Sequence, residues 1–287
     1  MAISRTQLVK ELEPGLNALF GLEYNRYENE HAEIFETEAS DRAFEEEVML
    51  SGFGSAPVKA EGGAVQFDDA NESFTARYTH ETIAMAFAIT EEAIEDNLYD
   101  RLAARYTRAL ARSMSNTKQV KAANVLNNAF NSSLSGGTMA NELATAADLS
   151  ETSLEQSLID IAAMVDERGL KISLQGVKLI IPKELQFTAE RIMKSPQRVG
   201  TADNDINAMA SMGMIPQGYR INHFLTDTDA FFIMTDAPNG LKMFVRSPIK
   251  TAIEGDFDTG NVRFKARERY SFGFSDPRGI FGSPGAA

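Results

Sequence analysis

Apolar residues at helical spacing dominate the stretch from Thr90 to Asn131. Ile94, Leu98, Leu102, Tyr106, Ala109, Leu110, Met114, Val120, Ala123, Leu126 and Phe130 fall along one face, with no proline or glycine among them. This predicts one long helix over 90–131, about 60 Å in length at 1.5 Å per residue. Thr90 can cap its start. Glu91 and Glu92 sit in the first turn, where exposed N–H groups favour negative charge. Ser135, Gly136 and Gly137 are expected to close it.

Elsewhere the period changes. Leu8, Val9, Leu12, Leu16, Leu19 and Phe20 recur at helical spacing, but Pro14 and Gly15 interrupt them and argue against a continuous helix. Acidic residues follow, from Glu28 through Glu36 and Asp41 to Glu47. Residues 48–89 read as a long hairpin. Its Gly-, Ala- and Pro-rich middle leads to Phe74, Ala76, Tyr78 and His80 in one alternating phase, then to Ile83, Met85, Phe87 and Ile89 in the other. The phase change near Glu81–Thr82 suggests a bulge. A two-stranded arm of this length does not hold itself together in water, so a neighbouring subunit is the natural support.

Residues 149–250 read as an α/β portion. An amphipathic helix over 151–169 carries Thr152 and Glu155 in a capping-box arrangement and ends at Gly169. A buried strand over 177–182, a helix closed by Pro196, and strands over 219–225, 230–235 and 241–245 follow. The last two are expected to pair through the turn 236–240. Then Val262, Phe264 and Ala266 alternate with Arg263, Lys265, Arg267 and Arg269, placing four cations on one strand face. No internal repeat is present.

Composition narrows the function classes. The chain has 287 residues, enough for one large or two modest domains, and 43% are hydrophobic, which supports a substantial core. Its net charge is -13, from 41 acidic and 28 basic residues, the wrong sign for a protein built to wrap nucleic acid tightly. It contains no cysteine, which rules out disulfides and thiolate chemistry. No apolar run reaches the roughly 20 residues of a membrane span, and the N-terminus lacks a signal-peptide core. A soluble protein made and used in the cytoplasm is expected.

Catalytic constellations are hard to find. His31, His80 and His223 have no neighbours at metal-ligand spacing and read as surface or strand residues. The segment 256–261 departs from a calcium loop and reads as a turn between strands. Ser115 and Lys118 form an S-x-x-K pair without its companion motifs. There is no phosphate-binding loop, and no cofactor is expected. The cationic strand face suits a nucleic acid, an acidic neighbour such as the Glu-rich segment, or plain solvent; pairing between subunits fits slightly better, because that segment otherwise lacks a partner.

The order of elements, together with several segments, resembles the major capsid proteins of tailed bacteriophages. Residues 52–69 resemble that family's E-loop, 77–130 its strand and spine helix, 200–246 its A-domain, and 254–286 its closing P-domain strands. The likeness covers most of the chain from about Ser51 onward. One departure is the short segment 131–155, where many relatives carry Asp-Gly and His-Pro.

The resemblance implies an α+β Hong Kong 97-type capsid fold. It assigns an N-terminal arm (1–47), an E-loop hairpin (48–89), a P-domain (90–148 and 246–287, with the spine helix at 90–131) and an A-domain (149–245). It implies a non-enzymatic shell subunit forming hexamers and pentamers around double-stranded DNA, without sequence-specific binding or a membrane partner. Portal and decoration proteins are implied partners. With no long charged helical extension before the arm, the resemblance implies a separate scaffolding protein, or none. The shell would form in the host cytoplasm and end in the virion. Assembly contacts are expected at Gly52, Phe53, Gly54, Lys59, Glu61, Arg263, Lys265, Arg267 and Arg269. The alternatives are an encapsulin-like nanocompartment and, from a different class, a metal-dependent hydrolase using Asp203, Asp205, Asp256 or Asp258.

Overall fold

A computed structural model describes residues 5–90, 92–93, 99–130, 140–198, 205–256 and 260–286. Contacts divide the chain into two units: Met1–Glu45 with Thr79–Ala122 and Met243–Ser271, and Glu46–Tyr78 with Ala123–Lys242 and Phe272–Ala287.

The first unit is built on one sheet. Strands β1 (Glu36–Ala39), β4 (Glu81–Ile89), β8 (Leu241–Gly255) and β9 (Val262–Phe274) lie in the order β1-β8-β9-β4. β4 and β9 are antiparallel, with Phe87 opposite Phe264 and Ile83 opposite Glu268. Helices α1 (Arg5–Tyr24) and α2 (Tyr99–Asn127) cover one face. Leu16 and Phe20 of α1 and Leu110, Ala111 and Met114 of α2 pack on Phe264, Ala266 and Phe87. Alternation along β9 buries Phe264, Ala266, Glu268 and Tyr270 against the helices and turns Arg263, Lys265 and Arg267 outward.

Three expectations need correction here. α1 runs without a break through Pro14 and Gly15. A proline removes one backbone bond, and the apolar stripe Leu16–Phe20–Tyr24 seated on the core outweighs that loss. α2 ends at Asn127, before the glycine pair; its described part, Tyr99–Asn127, spans about 44 Å. The Thr90 hydroxyl does accept a bond from the Ala93 N–H at 3.4 Å; Ile94, Leu98 and the Ser135–Gly137 stop lie outside the described residues. Lastly, the phase change near Glu81 is a change of sheet rather than a bulge. β3 (Glu72–Thr79) pairs with β2 (Phe44–Leu50), whereas β4 pairs with β9.

His80 marks that crossing. The Glu45 carboxylate only accepts, so the Ser40 hydroxyl donates to it at 2.7 Å. Ser40 Oγ must then accept from His80 Nε2 at 2.8 Å, and Ser271 donates to Nδ1 at 3.0 Å. This chain fixes the imidazole in one neutral tautomer. Burial, then the Arg269 guanidinium, hold its pKa below the usual histidine value. Because Nε2 donates to Ser40, His80 is not placed to take that hydroxyl's proton.

The second unit holds a four-stranded sheet in the order β10-β7-β5-β6, from β5 (Gly176–Ile181), β6 (Tyr219–Ile221), β7 (Phe231–Thr235) and β10 (Ile280–Ser283). Leu179, Ile181, Phe231 and Ile233 form its core with Leu154 and Ile161 of α3 (Glu151–Ala163) and Ile192 of α4 (Gln186–Lys194). β10 fits beside β7 because residue 282 is glycine; a Cβ there would collide with the Phe231 backbone. The expected β7–β8 hairpin does not form. The two strands belong to different sheets, and the turn's carbonyls at Asn239 and Gly240 accept instead from Asp276 and Ser275 at 2.9 and 3.0 Å. α3 is capped by Ser150 with Ser153, not by Thr152 with Glu155. It stops at Ala163 because Asp166 takes the Arg168 and Leu170 N–H groups at 2.9 and 2.7 Å, which favours a turn over helix.

Candidate assembly surface

In the first unit, β9 carries the four predicted cations on one stripe. Arg263, Lys265 and Arg267 are exposed and Arg269 is half-buried. Across the antiparallel register they face Ala88, Ala86, Ala84 and Thr82, so small side chains leave the cations uncovered. The stripe is partly neutralised at one end by its own hairpin: Arg263 pairs with Asp256, and Lys265 lies 3.9 Å from Glu254. The Asp256 N–H donates to the Asn261 carbonyl at 2.8 Å between β8 and β9, while residues 257–259 of the expected turn lie outside the described residues. Among the described residues no group of three or more His, Cys, Asp or Glu side chains is arranged to hold a metal. Asp203 and Asp258 lie outside those residues. His31 and His80 are buried rather than superficial.

Beneath the stripe, on the inward side of β9, lies a buried charge. Glu268 is 1% exposed. Lys118 of α2 reaches it at 3.4 Å and the Tyr24 hydroxyl donates to it at 3.1 Å. The Lys118 ammonium also sits 5.1 Å from the Tyr270 ring centroid. Burial raises the Glu268 pKa, with Lys118 and Tyr24 pulling the other way. Burial likewise drives the Tyr24 hydroxyl well above its ordinary range, with Glu268 adding to the effect. Lys118, noticed in the sequence only as part of S-x-x-K, is thus a structural counter-ion.

Close by, His31 lies in a 3₁₀ turn, its N–H bonded to Gln119 Oε1 at 3.1 Å. Burial first, then Lys118, push its pKa down to about 4. Since the folded value lies below the unfolded 6.5, the stability tied to neutral His31 is complete above pH 6.5 and is lost as pH falls through 4. The difference is on the order of 3 kcal/mol. Denaturant midpoints across that window should fall more steeply for the native chain than for His31→Gln.

In the second unit, the loop between β2 and β3 stands in solvent. Val58 is 100% exposed, Phe67 93%, Val65 67% and Phe53 62%. Lys59 and Glu61 are exposed beside them, and Gly62, at φ 76, turns the loop tip. Its base is fastened by contacts the sequence did not suggest. The Gly54 N–H donates to Asp68 at 2.7 Å, and Arg168 donates to the Gly52 carbonyl at 3.2 Å and to the Asp69 carbonyl. Arg168→Ala should therefore increase proteolytic nicking within 52–71 without moving the thermal midpoint of the folded units, a result limited proteolysis reads directly.

The acidic segment is less available than expected. Glu46 pairs with Arg77 at 3.6 Å and Glu47 with Lys242 at 2.7 Å, while Glu45 is held by Ser40. These internal pairs remove part of the reason for reserving it for a neighbour's cations.

A family model described as "Phage capsid protein" matches residues 73–282. No curated protein sequence matches the chain. Among solved structures, the chain superposes on a virus-like particle from Pyrococcus furiosus with TM-score 0.56 at 12% identity, covering 94% of this chain and 98% of that one. For the capsid of Myoviridae phage XM1 the values are 0.57 and 11%, covering 88% and 89%. For the capsid of cyanophage P-SCSP1u they are 0.57 and 9%, covering 88% and 86%. The α+β Hong Kong 97-type fold expected from the sequence is the fold these alignments share, and a family match over most of the length places the chain in the phage capsid protein family.

Proposed function

We propose that this chain is the major shell subunit of a tailed-phage head, closing as pentamers and hexamers around double-stranded DNA that it contacts without reading sequence. The observation that carries the reading is the loop between β2 and β3, which leaves Phe53, Val58, Val65 and Phe67 in water in the single chain. Burying one such side chain is worth about 1.5–3 kcal/mol, which makes a neighbour's surface the natural destination. The loop overlies the adjacent subunit's long helix, the N-terminal arm crosses to another neighbour, and the second unit's sheet domain meets its copies around the symmetry axes. Head-to-tail contacts of this kind close into rings. The protein acts without catalysis, in the virion, after assembly in the host cytoplasm with scaffolding, portal or decoration proteins.

The cationic stripe on β9 serves the same contacts. Replacing Arg263, Lys265 and Arg267 by glutamate should leave a folded chain, because all three point away from the core. It should sediment as capsomers or smaller species instead of shells. Normal shells from this variant would remove the stripe from the interface. An encapsulin-like compartment shares the fold and is separated by content: nuclease-protected DNA inside particles supports the phage head, and a protein cargo supports the compartment.

A further inference from the structure

The first unit presents cations on both of its sides, and the two sides differ. On the sheet side, Arg263 and Lys265 are already matched by Asp256 and Glu254. On the helix side, Arg105, Arg108 and Arg112 of α2 are exposed along one ridge, opposite the buried row Ala103, Leu110 and Met114 that meets the sheet. No carboxylate lies within ion-pair distance of these three arginines among the described residues. From Arg101 to Asn127 the helix contains no Asp or Glu at all, in a chain whose net charge is -13. A cleft beside the ridge adds Arg26, Tyr27 and Asn116. Arg112 is held over the Tyr27 ring at 5.8 Å, which limits the freedom it would lose on binding. Among the described residues Glu23 is the one carboxylate lining this cleft, and it is taken by Arg26 at 3.3 Å.

We propose that this arginine ridge is the surface that meets the enclosed genome, binding the phosphates of duplex DNA without regard to sequence. The proposal rests on the shell reading above and adds which side of the first unit faces inward, leaving the part of α2 beyond Arg105–Arg112 for the neighbouring subunit's loop. The three arginines span about 10 Å of helix axis, a length over which duplex DNA carries about six phosphates. The ridge is straight and lined by exposed guanidinium groups, so it suits a stiff polyanion. An acidic protein segment is the competing occupant. Each contact is weak, but a closed shell repeats it in every subunit, so the wall holds the duplex by number rather than by affinity.

The test uses the full chain, kept unassembled, with a short fluorescent duplex of arbitrary sequence, titrated between about 50 and 200 mM salt. Replacing Arg105, Arg108 and Arg112 together by alanine should weaken binding at least about tenfold at low salt and reduce the log–log salt slope by about 3. Lysine at the same three positions should keep the slope, since a phosphate contact needs the charge rather than the fork. Alanine at Arg263, Lys265 and Arg267 should leave binding unchanged, and closed wild-type particles should not bind added DNA, their ridges being inside. The proposal falls if the ridge alanine variant binds as wild type, if the strand variant takes the loss, if closed particles bind outside DNA through the ridge, or if polyglutamate displaces the duplex at equal charge concentration. Microscopy of the wild type and of the ridge variant is scored separately: wild-type chain that forms no particles contradicts the shell reading whatever the DNA titration shows.

Discussion

Deleting residues 52–63 should yield a subunit that folds and melts like the native chain yet forms no closed particles. The segment contributes nothing to either core, since its side chains stand in solvent and Phe53 and Val58 are removed with it. Strands β2 and β3 remain, joined by a shorter connection that costs little to close. What is lost is the loop's reach and two of its four exposed apolar side chains, Phe53 and Val58, with Val65 and Phe67 left on the shortened connection. Assembly depends on that surface once per subunit, so the effect on shells is close to all-or-none. Circular dichroism and sedimentation velocity check the two halves of the prediction, and normal-sized particles from the deletion would show that the loop is not a docking element.

The largest effect on the subunit itself is expected from Lys118→Met. Glu268 is buried on β9 and Lys118 is the only cation paired with it among the described residues. Removing the ammonium strands a buried carboxylate, a loss of about 3–5 kcal/mol. The pH dependence follows from the direction of the Glu268 shift. Burial already raises its pKa and Lys118 lowers it again, so without Lys118 the folded pKa rises further. A raised carboxylate pKa favours the fold at low pH and is lost as pH rises through the folded value. The variant should therefore be most impaired at about pH 8 and recover toward about pH 5. The double variant Lys118→Met, Glu268→Leu should regain most of the loss at both values, which urea unfolding can read. A single variant as stable as the native chain would mean that solvent or another group compensates Glu268.

Periodicity made α2 and the β9 stripe legible, because both are local and amphipathic: Leu110 and Met114 do meet Phe264 and Ala266. Pairing was legible only in part. The opposite phases of Phe74–Tyr78 and Ile83–Ile89 were visible, but nothing local says that the chain changes sheets at His80, since that depends on Ser40, Glu45 and Ser271 arriving from elsewhere. The 236–240 turn looked like a hairpin because its residues suit one; its hydrogen bonds go to Ser275 and Asp276, more than thirty residues downstream. Pro14 carried too much weight against α1, whose packing on the core overrides propensity. Among surface residues, the exposed loop is legible in the sequence while its clasp, Arg168, is not, because it comes from the turn after α3, 116 residues beyond Gly52. The spacing of Arg105, Arg108 and Arg112 was readable in the sequence; its meaning depended on knowing which face α2 buries.

Closure of this chain into shells can be seen directly by negative-stain electron microscopy of the purified protein, with light scattering on the same sample. Closed particles about tens of nanometres across are expected, or capsomer rings where a scaffolding partner is needed. A monodisperse monomer of 31.5 kDa at high concentration, even with scaffolding protein added, would contradict it.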